Sequence, residues 1–287
     1  MSDRDRPTVS IVTPAYNAAR YLGDLLQSVE AQDYPSIEHI VIDDGSSDGG
    51  ATVRLLERHP KVRWWSRDNR GQYATMNEGL RAATGDLVTA ISADDTYVDA
   101  GAISALAGVL GDHPECDVVY GYTLHTNEDA TPWVIQPYQR YPAWMLRYNL
   151  GFVFHCSLLV RRDRLIRDNL LFDESFRYIA DADWMLRLYR QSYRFRRIER
   201  YIGAYRHHGH QVSTVASGHA AANALRRDEH MRVHRRYGTS RLVKGLVEAY
   251  DTSQQRRVKA LGAWRHGGSR QVWTLVSSWI RRKYDRE

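Results

Sequence analysis

The hydrophobic positions of the first 120 residues fall into short apolar blocks separated by amphipathic stretches. Thr8-Val9-Ser10-Ile11-Val12 is short and rich in β-branched residues, which predicts a strand. From Ala18 to Gln32 the apolar residues Tyr21, Leu22, Leu25, Leu26 and Val29 recur at helical spacing. Ile37 to Ile42 reads as the next strand. Asp44-Gly45-Ser46-Ser47-Asp48 reads as a turn in which Ser47 or Asp48 caps a helix containing Val53, Leu55 and Leu56. The alternation continues with a strand at Val62 to Trp65, a helix from Tyr73 to Ala83 closed by Thr84-Gly85, and a strand at Leu87 to Ile91. A helix from Gly101 to Leu110 and a strand at Asp117 to Tyr120 follow. Strands spaced by helices predict βαβ units, an α/β fold and a mostly parallel sheet. Ligands of such sheets sit at the carboxyl ends of strands. The polar clusters Thr13 to Asn17, Asp43 to Ser47 and Ser92 to Asp95 all fall at such ends.

Past Gly121 the pattern weakens. Residues 122–150 are rich in rings and proline (Trp133, Pro137, Tyr138, Tyr141, Pro142, Trp144, Tyr148) and predict an irregular, aromatic-lined segment. Phe152 to Val160 is strand-like and Asp183 to Arg190 helical. From Ala220 onward the chain reads as helices dense in arginine. Near its end Val272, Leu275, Val276, Trp279 and Ile280 share one helical face ahead of Arg281, Arg282 and Lys283. That face suits either an interfacial helix or one packed on the preceding α/β domain.

Composition sharpens this picture. The chain of 287 residues is 43% hydrophobic and 26% charged, which excludes wholesale disorder. Its net charge of +6 hides a division. Residues 1–186 carry 17 Lys/Arg against 27 Asp/Glu, whereas residues 187–287 carry 23 against 7. Basic segments favour nucleic acid, anionic membranes or phosphorylated ligands. The two cysteines, Cys116 and Cys156, exclude a disulfide framework and a cysteine zinc site. The charged start, Met1-Ser2-Asp3-Arg4-Asp5-Arg6, predicts no secretory leader, and no apolar run approaches the roughly 18 residues of a membrane span. A cytoplasmic location is therefore expected, peripheral at the inner face of a membrane if the last helix docks there.

The candidate chemistry is carboxylate chemistry. Thr13-Pro14-Ala15-Tyr16-Asn17 follows the first strand where a dinucleotide site would place G-x-G-x-x-G; Walker A is also absent from the sequence. Ser92-Ala93-Asp94-Asp95 can hold a hard divalent cation that keeps open positions for substrate phosphates, or can cap the following helix. Asp43-Asp44-Gly45-Ser46 can meet a base or ribose with one carboxylate and tie its own turn with the other. Asp181-Ala182-Asp183-Trp184 opens a helix, where a carboxylate serves as a dipole-stabilised cap or as a base. His207-His208-Gly209-His210, after a strand-like segment, can supply a metal or diphosphate ligand or stay structural.

Taken in order, Val9 to Asn17, Asp43 to Asp48, Arg70-Gly71-Gln72-Tyr73-Ala74-Thr75-Met76-Asn77-Glu78-Gly79-Leu80, Gly85-Asp86 and Ser92 to Asp95 resemble a family 2 glycosyltransferase of GT-A fold. The resemblance continues through His155, Phe172-Asp173-Glu174-Ser175-Phe176, Asp181 to Trp184 and Tyr205-Arg206-His207-His208, covering about residues 7–215. It implies a GT-A domain over residues 1–215 and a helical basic C-terminal extension over 216–287. It further implies that Thr13, Pro14, Ala15 and Tyr16 line the nucleotide base, that Asp43 bonds the base and that Asp44 shapes the turn. Arg70 and Asn77 fall near the sugar or diphosphate, with Ser92 and Ala93 on the donor side. Asp94 is the implied metal ligand, accompanied by Asp95 and His208, and Mn²⁺ or Mg²⁺ the implied cofactor. Asp181 is the implied catalytic base, and His155, Asp183 and Trp184 are placed toward the acceptor.

Two departures matter. Ser92 stands where the D-x-D pattern begins with an aspartate, and the Q-x-x-R-W motif of processive polymerases is missing after Asp181. The expected activity is metal-dependent, inverting addition of one sugar from a nucleotide-diphosphate sugar, UDP-sugar favoured, to a saccharide or lipid-linked hydroxyl. An anionic membrane surface is a further candidate partner, and no nucleic-acid partner is expected. The competing readings are a non-catalytic nucleotide-sugar-binding regulator, and a nucleic-acid-binding protein using the basic final third. A nucleotidyltransferase would want a glycine-rich basic loop where Pro14-Ala15-Tyr16-Asn17 stands.

Overall fold

A computed structural model describes residues 6–134, 154–209, 211 and 220–238. Strands β1 (Val9–Ala15), β2 (Ile37–Asp43), β3 (Arg63–Ser66) and β4 (Leu87–Ala90) alternate with helices α1 (Leu22–Glu30), α2 (Ala51–Glu57) and α3 (Gln72–Ala82). A short strand β5 (Thr96–Tyr97), helix α4 (Ala102–Asp112) and strands β6 (Val118–Thr126) and β7 (Pro132–Val134) follow. After a 3-10 turn at His155–Ser157 come β8 (Leu158–Arg161), α5 (Arg162–Arg167), α6 (Ala180–Arg190), β9 (Phe195–Arg206) and α7 (Ala220–Tyr237).

The sheet runs β3-β2-β1-β4-β8-β6-β9-β5, with β7 added on β6. The first four strands are mutually parallel, as periodicity predicts. Of the strand expected at Phe152 to Val160, Leu158 to Val160 fall in β8, which inserts antiparallel between β4 and β6; Phe152 and Val153 lie outside the described residues. β9 returns the sheet to parallel pairing on β6. All seven residues of β1 are buried, as a strand covered on both faces must be. Alternate residues feed two layers. Ile11 and Val41 pack with Leu22, Leu25 and Leu26 of α1 and with α4. Val12, Ile40 and Ile42 pack with Met76 and Leu80 of α3 and with α6. Gly79 lets α3 lie against β1, because a Cβ there would stand 2.3 Å from Val12 Cγ1.

Helix α7, from the basic final third, joins the second layer through buried Val233 and Tyr237. Among the described residues no helix is long and apolar enough to cross a membrane. Both cysteines are buried and free. The aromatic segment from Pro137 to Tyr148, and the amphipathic face from Val272 to Ile280, lie outside the described residues.

Candidate active site

The carboxyl ends of β1, β2 and β4 open onto one edge of the sheet, and the polar clusters gather there. Thr13, Pro14 and Ala15 are buried within β1, and Thr13 Oγ1 is 3.1 Å from His39 Nε2. Tyr16, just past the strand, is 52% exposed and is the member of this group that meets solvent. Asp43 is buried and accepts from Ser66 Oγ at 2.6 Å and from the Ser46 N–H at 3.3 Å. Asp44 is a turn organiser: its carboxylate takes the Arg67 guanidinium, the Arg70 N–H at 2.8 Å and the Gly71 N–H at 3.0 Å. It is buried, and every one of those bonds stays within the protein. The Arg70 side chain is exposed beside Glu78, 3.7 Å away.

Asn77 differs from expectation. Its amide donates to Phe172 O and Glu174 Oε1, both at 2.9 Å, and accepts the Phe172 N–H at 2.8 Å. The side chain is buried and fully engaged, so it fastens the 172–174 loop instead of facing a sugar or diphosphate.

The turn after β4 carries Ser92, Ala93, Asp94 and Asp95. Asp94 Oδ2 accepts from His208 Nε2 at 2.9 Å, joining the turn to the end of β9. His208 stacks 4.5 Å from the Tyr21 ring. The Asp94 side chain keeps 26% exposure. Asp95 is instead 1% exposed, and one of its oxygens accepts the Arg206 N–H at 3.1 Å. Burial, then repulsion from Asp94, raises its pKa well above the usual carboxylate value. The other Asp95 oxygen, Oδ2, is buried without a hydrogen-bond partner among the described residues.

The fit of a divalent ion can be tested on this geometry. Adjacent ligands of an octahedral ion with bonds of about 2.1 Å stand about 3 Å apart, and the Asp94–His208 separation of 2.9 Å matches. Among the described residues no three His, Cys, Asp or Glu side chains converge on one point. The pair therefore suits an ion whose remaining ligands are phosphate oxygens and water, the habit of Mg²⁺-type sites.

Across the turn, Ser92 Oγ accepts from Gln72 Nε2 at 3.2 Å and lies 3.2 Å from His155 Nε2. His155 Nδ1 is turned to Asp181 Oδ2 at 3.9 Å, beyond hydrogen-bond length. Asp181 sits in the first turn of α6, 24% exposed at its side chain, with Oδ1 on the Ala182 N–H at 2.8 Å. Asp94–His208 and Ser92–His155–Asp181 thus leave the same turn, and both include partly open carboxylates.

Asp183 and Trp184 do not face an acceptor. Asp183 is fully buried, accepting from Arg187 Nε at 2.7 Å, Arg236 Nη1 at 2.9 Å and Tyr237 Oη at 2.7 Å. Trp184 is 1% exposed, donates to Leu170 O at 2.6 Å and packs on Phe172. Helical periodicity accounts for Asp183, since a residue two positions beyond Asp181 does not share its face of α6.

Residues 10–167, more than half of the chain, match the family model described as glycosyl transferase family 2. The chain belongs to that family. It is 32% identical over 193 residues to an uncharacterized glycosyltransferase of Rickettsia typhi, a match covering 65% of this chain and 60% of that protein. A match of 29% identity to an uncharacterized Rickettsia felis glycosyltransferase spans only 32% of that longer protein. The uncharacterized glycosyltransferase EpsJ of Bacillus subtilis is 23% identical, over 85% of this chain and 74% of EpsJ. Among solved structures, S. aureus TarS 1–349 in complex with UDP-GlcNAc superposes with a TM-score of 0.61 at 16% identity, covering 96% of this chain and 92% of that one. The mannosyltransferase PcManGT of Pyrobaculum calidifontis, in complex with GDP-Man and Mn²⁺, gives 0.62 at 20% identity, covering 97% and 81%. At these identities the likeness is one of fold, and that fold is GT-A.

Sequence reasoning leaves Arg206 and Gln72 without roles at this family 2 site. Arg206 is 5% exposed, and its guanidinium holds Asp94 O at 3.1 Å, Glu128 O at 3.1 Å and Asp24 Oδ2 at 2.6 Å. It welds the metal-candidate turn to α1 and β6. Its position between Tyr205 and His207 in the quoted motif was the available signal.

Proposed function

We propose that this family 2 glycosyltransferase moves one sugar from a nucleotide-diphosphate sugar to a hydroxyl of a saccharide or lipid-linked acceptor, with inversion. The observation that carries the reading is the pairing of Asp94 with His208 on a turn that also reaches Asp181 through Ser92 and His155. Asp94 and His208 would hold Mn²⁺ or Mg²⁺ together with the donor diphosphate. A divalent ion there supplies charge neutralisation for the leaving nucleoside diphosphate. Tyr16 and Asp43 stand at the nucleotide end, and exposed Arg70 at the mouth. UDP is the favoured nucleotide.

Asp181 is the base. An acceptor hydroxyl is a weak nucleophile, and a carboxylate in contact with it removes its proton as the new bond to the anomeric carbon forms. A single displacement on the face opposite the leaving diphosphate inverts that carbon. His155, buried between Ser92 and Asp181, links donor and acceptor sides. The enzyme acts in the cytoplasm, with an anionic membrane carrying a lipid-linked acceptor as a partner surface, and without nucleic acid.

A donor screen by thermal shift with and without Mn²⁺, followed by radiolabelled transfer, tests this reading. Metal-dependent stabilisation by one nucleotide sugar is expected, and Asp181→Asn should retain that binding while transfer falls by roughly 10²-fold. Transfer at the wild-type rate by Asp181→Asn would remove Asp181 from the base role.

A further inference from the structure

The segment leading into Asp181 is held from outside the core by α7. Glu229 is 1% exposed, and its two oxygens accept the N–H groups of Arg177 at 2.7 Å and Tyr178 at 2.9 Å. Arg236 Nη1 bridges Asp173 Oδ2 and Asp183 Oδ1, both at 2.9 Å. Tyr237 Oη donates to Asp183 Oδ1 at 2.7 Å, and Arg232 Nη2 to Ser175 Oγ at 2.8 Å. The guanidinium of Arg232 also lies 4.4 Å from the Phe176 ring centroid. One helix therefore grips positions 173, 175, 176, 177, 178 and 183. On its other side the same segment is fastened to α3 through Asn77.

The anchors flank one open carboxylate. Tyr178 precedes Asp181 by three residues and Asp183 follows it by two, so little slack remains in the backbone between them. Among the described residues, none of the α7 side chains that make these bonds hydrogen-bonds Asp181 itself. A base must lie within hydrogen-bond reach of the proton it takes, and a displacement of about 1 Å can cost about 10²-fold.

We propose that α7 is the positioning element of the catalytic base, with Glu229, Arg236 and Tyr237 as positioning residues that hold the 173–183 segment so that Asp181 meets the acceptor hydroxyl. This rests on the reading of Asp181 as the base. It gives part of the basic final third a role in turnover: Arg232 and Arg236 are used to staple an acidic segment, Asp173 to Asp183, rather than to attract a ligand.

The test is a double-mutant cycle on the full chain. Glu229→Ala should lower kcat by about 10- to 100-fold while donor KM stays within about twofold. Glu229→Gln keeps an oxygen for one of the two amides and should recover much of the lost rate. In the Asp181→Asn background Glu229→Ala should have no further effect on the residual kcat, since the group it positions is gone. Tyr237→Phe removes a single bond and should lower kcat severalfold with donor KM unchanged; it carries the test if Glu229→Ala does not fold. The proposal is overturned if kcat per folded molecule is unchanged, if donor KM rises in step with the loss of kcat, or if Glu229→Ala slows Asp181→Asn by the same factor as the wild type. Failure of the base reading looks different: Asp181→Asn alone would then transfer at the wild-type rate.

Discussion

Asn77 separates a structural role from a ligand-binding one by magnitude. Replacing it with alanine removes three hydrogen bonds and leaves both backbone polar groups of Phe172 without their partner. Phe172 is 4% exposed, so water does not readily replace the amide. Each buried backbone group left unsatisfied costs about 1–3 kcal/mol. The Glu174 carboxylate is on an exposed residue and adds little. The two groups together give about 4 kcal/mol. At about 2–4 °C per kcal/mol for a domain of this size, Asn77→Ala should melt about 8–16 °C below the wild type. Thermal unfolding by circular dichroism measures the shift, and titration with the nucleotide-sugar donor below the transition measures binding. Donor affinity should hold within about twofold, since the lost bonds face the 172–174 loop. A melting temperature within about 2 °C of the wild type, together with tenfold weaker donor binding, would refute the structural assignment and return Asn77 to the donor.

Three further outcomes follow from the same geometry. Asp94→Asn should abolish the activating effect of Mn²⁺ while leaving the fold intact, and excess chelator should silence the wild type; full turnover in chelator would sink the metal assignment. Gly79→Ala places a methyl group 2.3 Å from Val12 Cγ1 and should destabilise the protein by about 1–3 kcal/mol, a loss that Val12→Ala should partly repair in denaturant titrations; additive losses would contradict the contact. Burial, then repulsion from His59, holds the His39 pKa down at about 3, below its ordinary 6.5. The unfolded chain therefore binds a proton that the folded chain refuses between those values, so stability is full above about pH 6.5 and declines as pH falls toward 3. His125, held at about 4 by burial and by His207, acts in the same direction. Melting temperatures should fall from about pH 6 downward and fall less steeply in His39→Gln; equal melting at pH 7.5 and 4.5 would contradict this account.

The parallel half of the sheet was readable because burial on both faces forces uninterrupted apolar runs, as in Ile40-Val41-Ile42, and because each following helix has a clear apolar stripe. β9 was read only as strand-like. Arg196, Glu199 and Arg200 break its pattern, and their long side chains reach solvent from a strand whose inner residues, Ile202 and Ala204, are buried. The antiparallel entry of β8 is a tertiary choice that no local spacing encodes. At the site, Asp43-Asp44 and Ser92 to Asp95 were visible because strand ends concentrate polar groups within a few residues. What remained hidden was the division of labour. Asp44, Asn77 and Asp183 belong to motifs of the same look as Asp94 and Asp181, yet each is engaged by groups of the protein itself, Asp44 by Arg67, Asn77 by the Phe172 backbone and Asp183 by Arg236 and Tyr237, all distant in sequence. Glu229 lies in a charged helix where a carboxylate reads as solvated, and only the fold turns it toward two amides.

The antiparallel insertion of β8 also bears on how the chain is made. β1 to β4 pair with one another through connections local in sequence, so they can assemble early during synthesis. The far edge of β4 is closed only when Leu87 and Val88 pair with Arg161 and Val160. Until the ribosome has released residue 161, a nascent chain carries an open parallel edge whose four residues, Leu87–Ala90, are all buried in the finished protein. An unpaired apolar edge recruits other strands. Fragments ending before β8 should therefore self-associate through β4, and a stable donor-binding half of this enzyme must extend at least through Arg161.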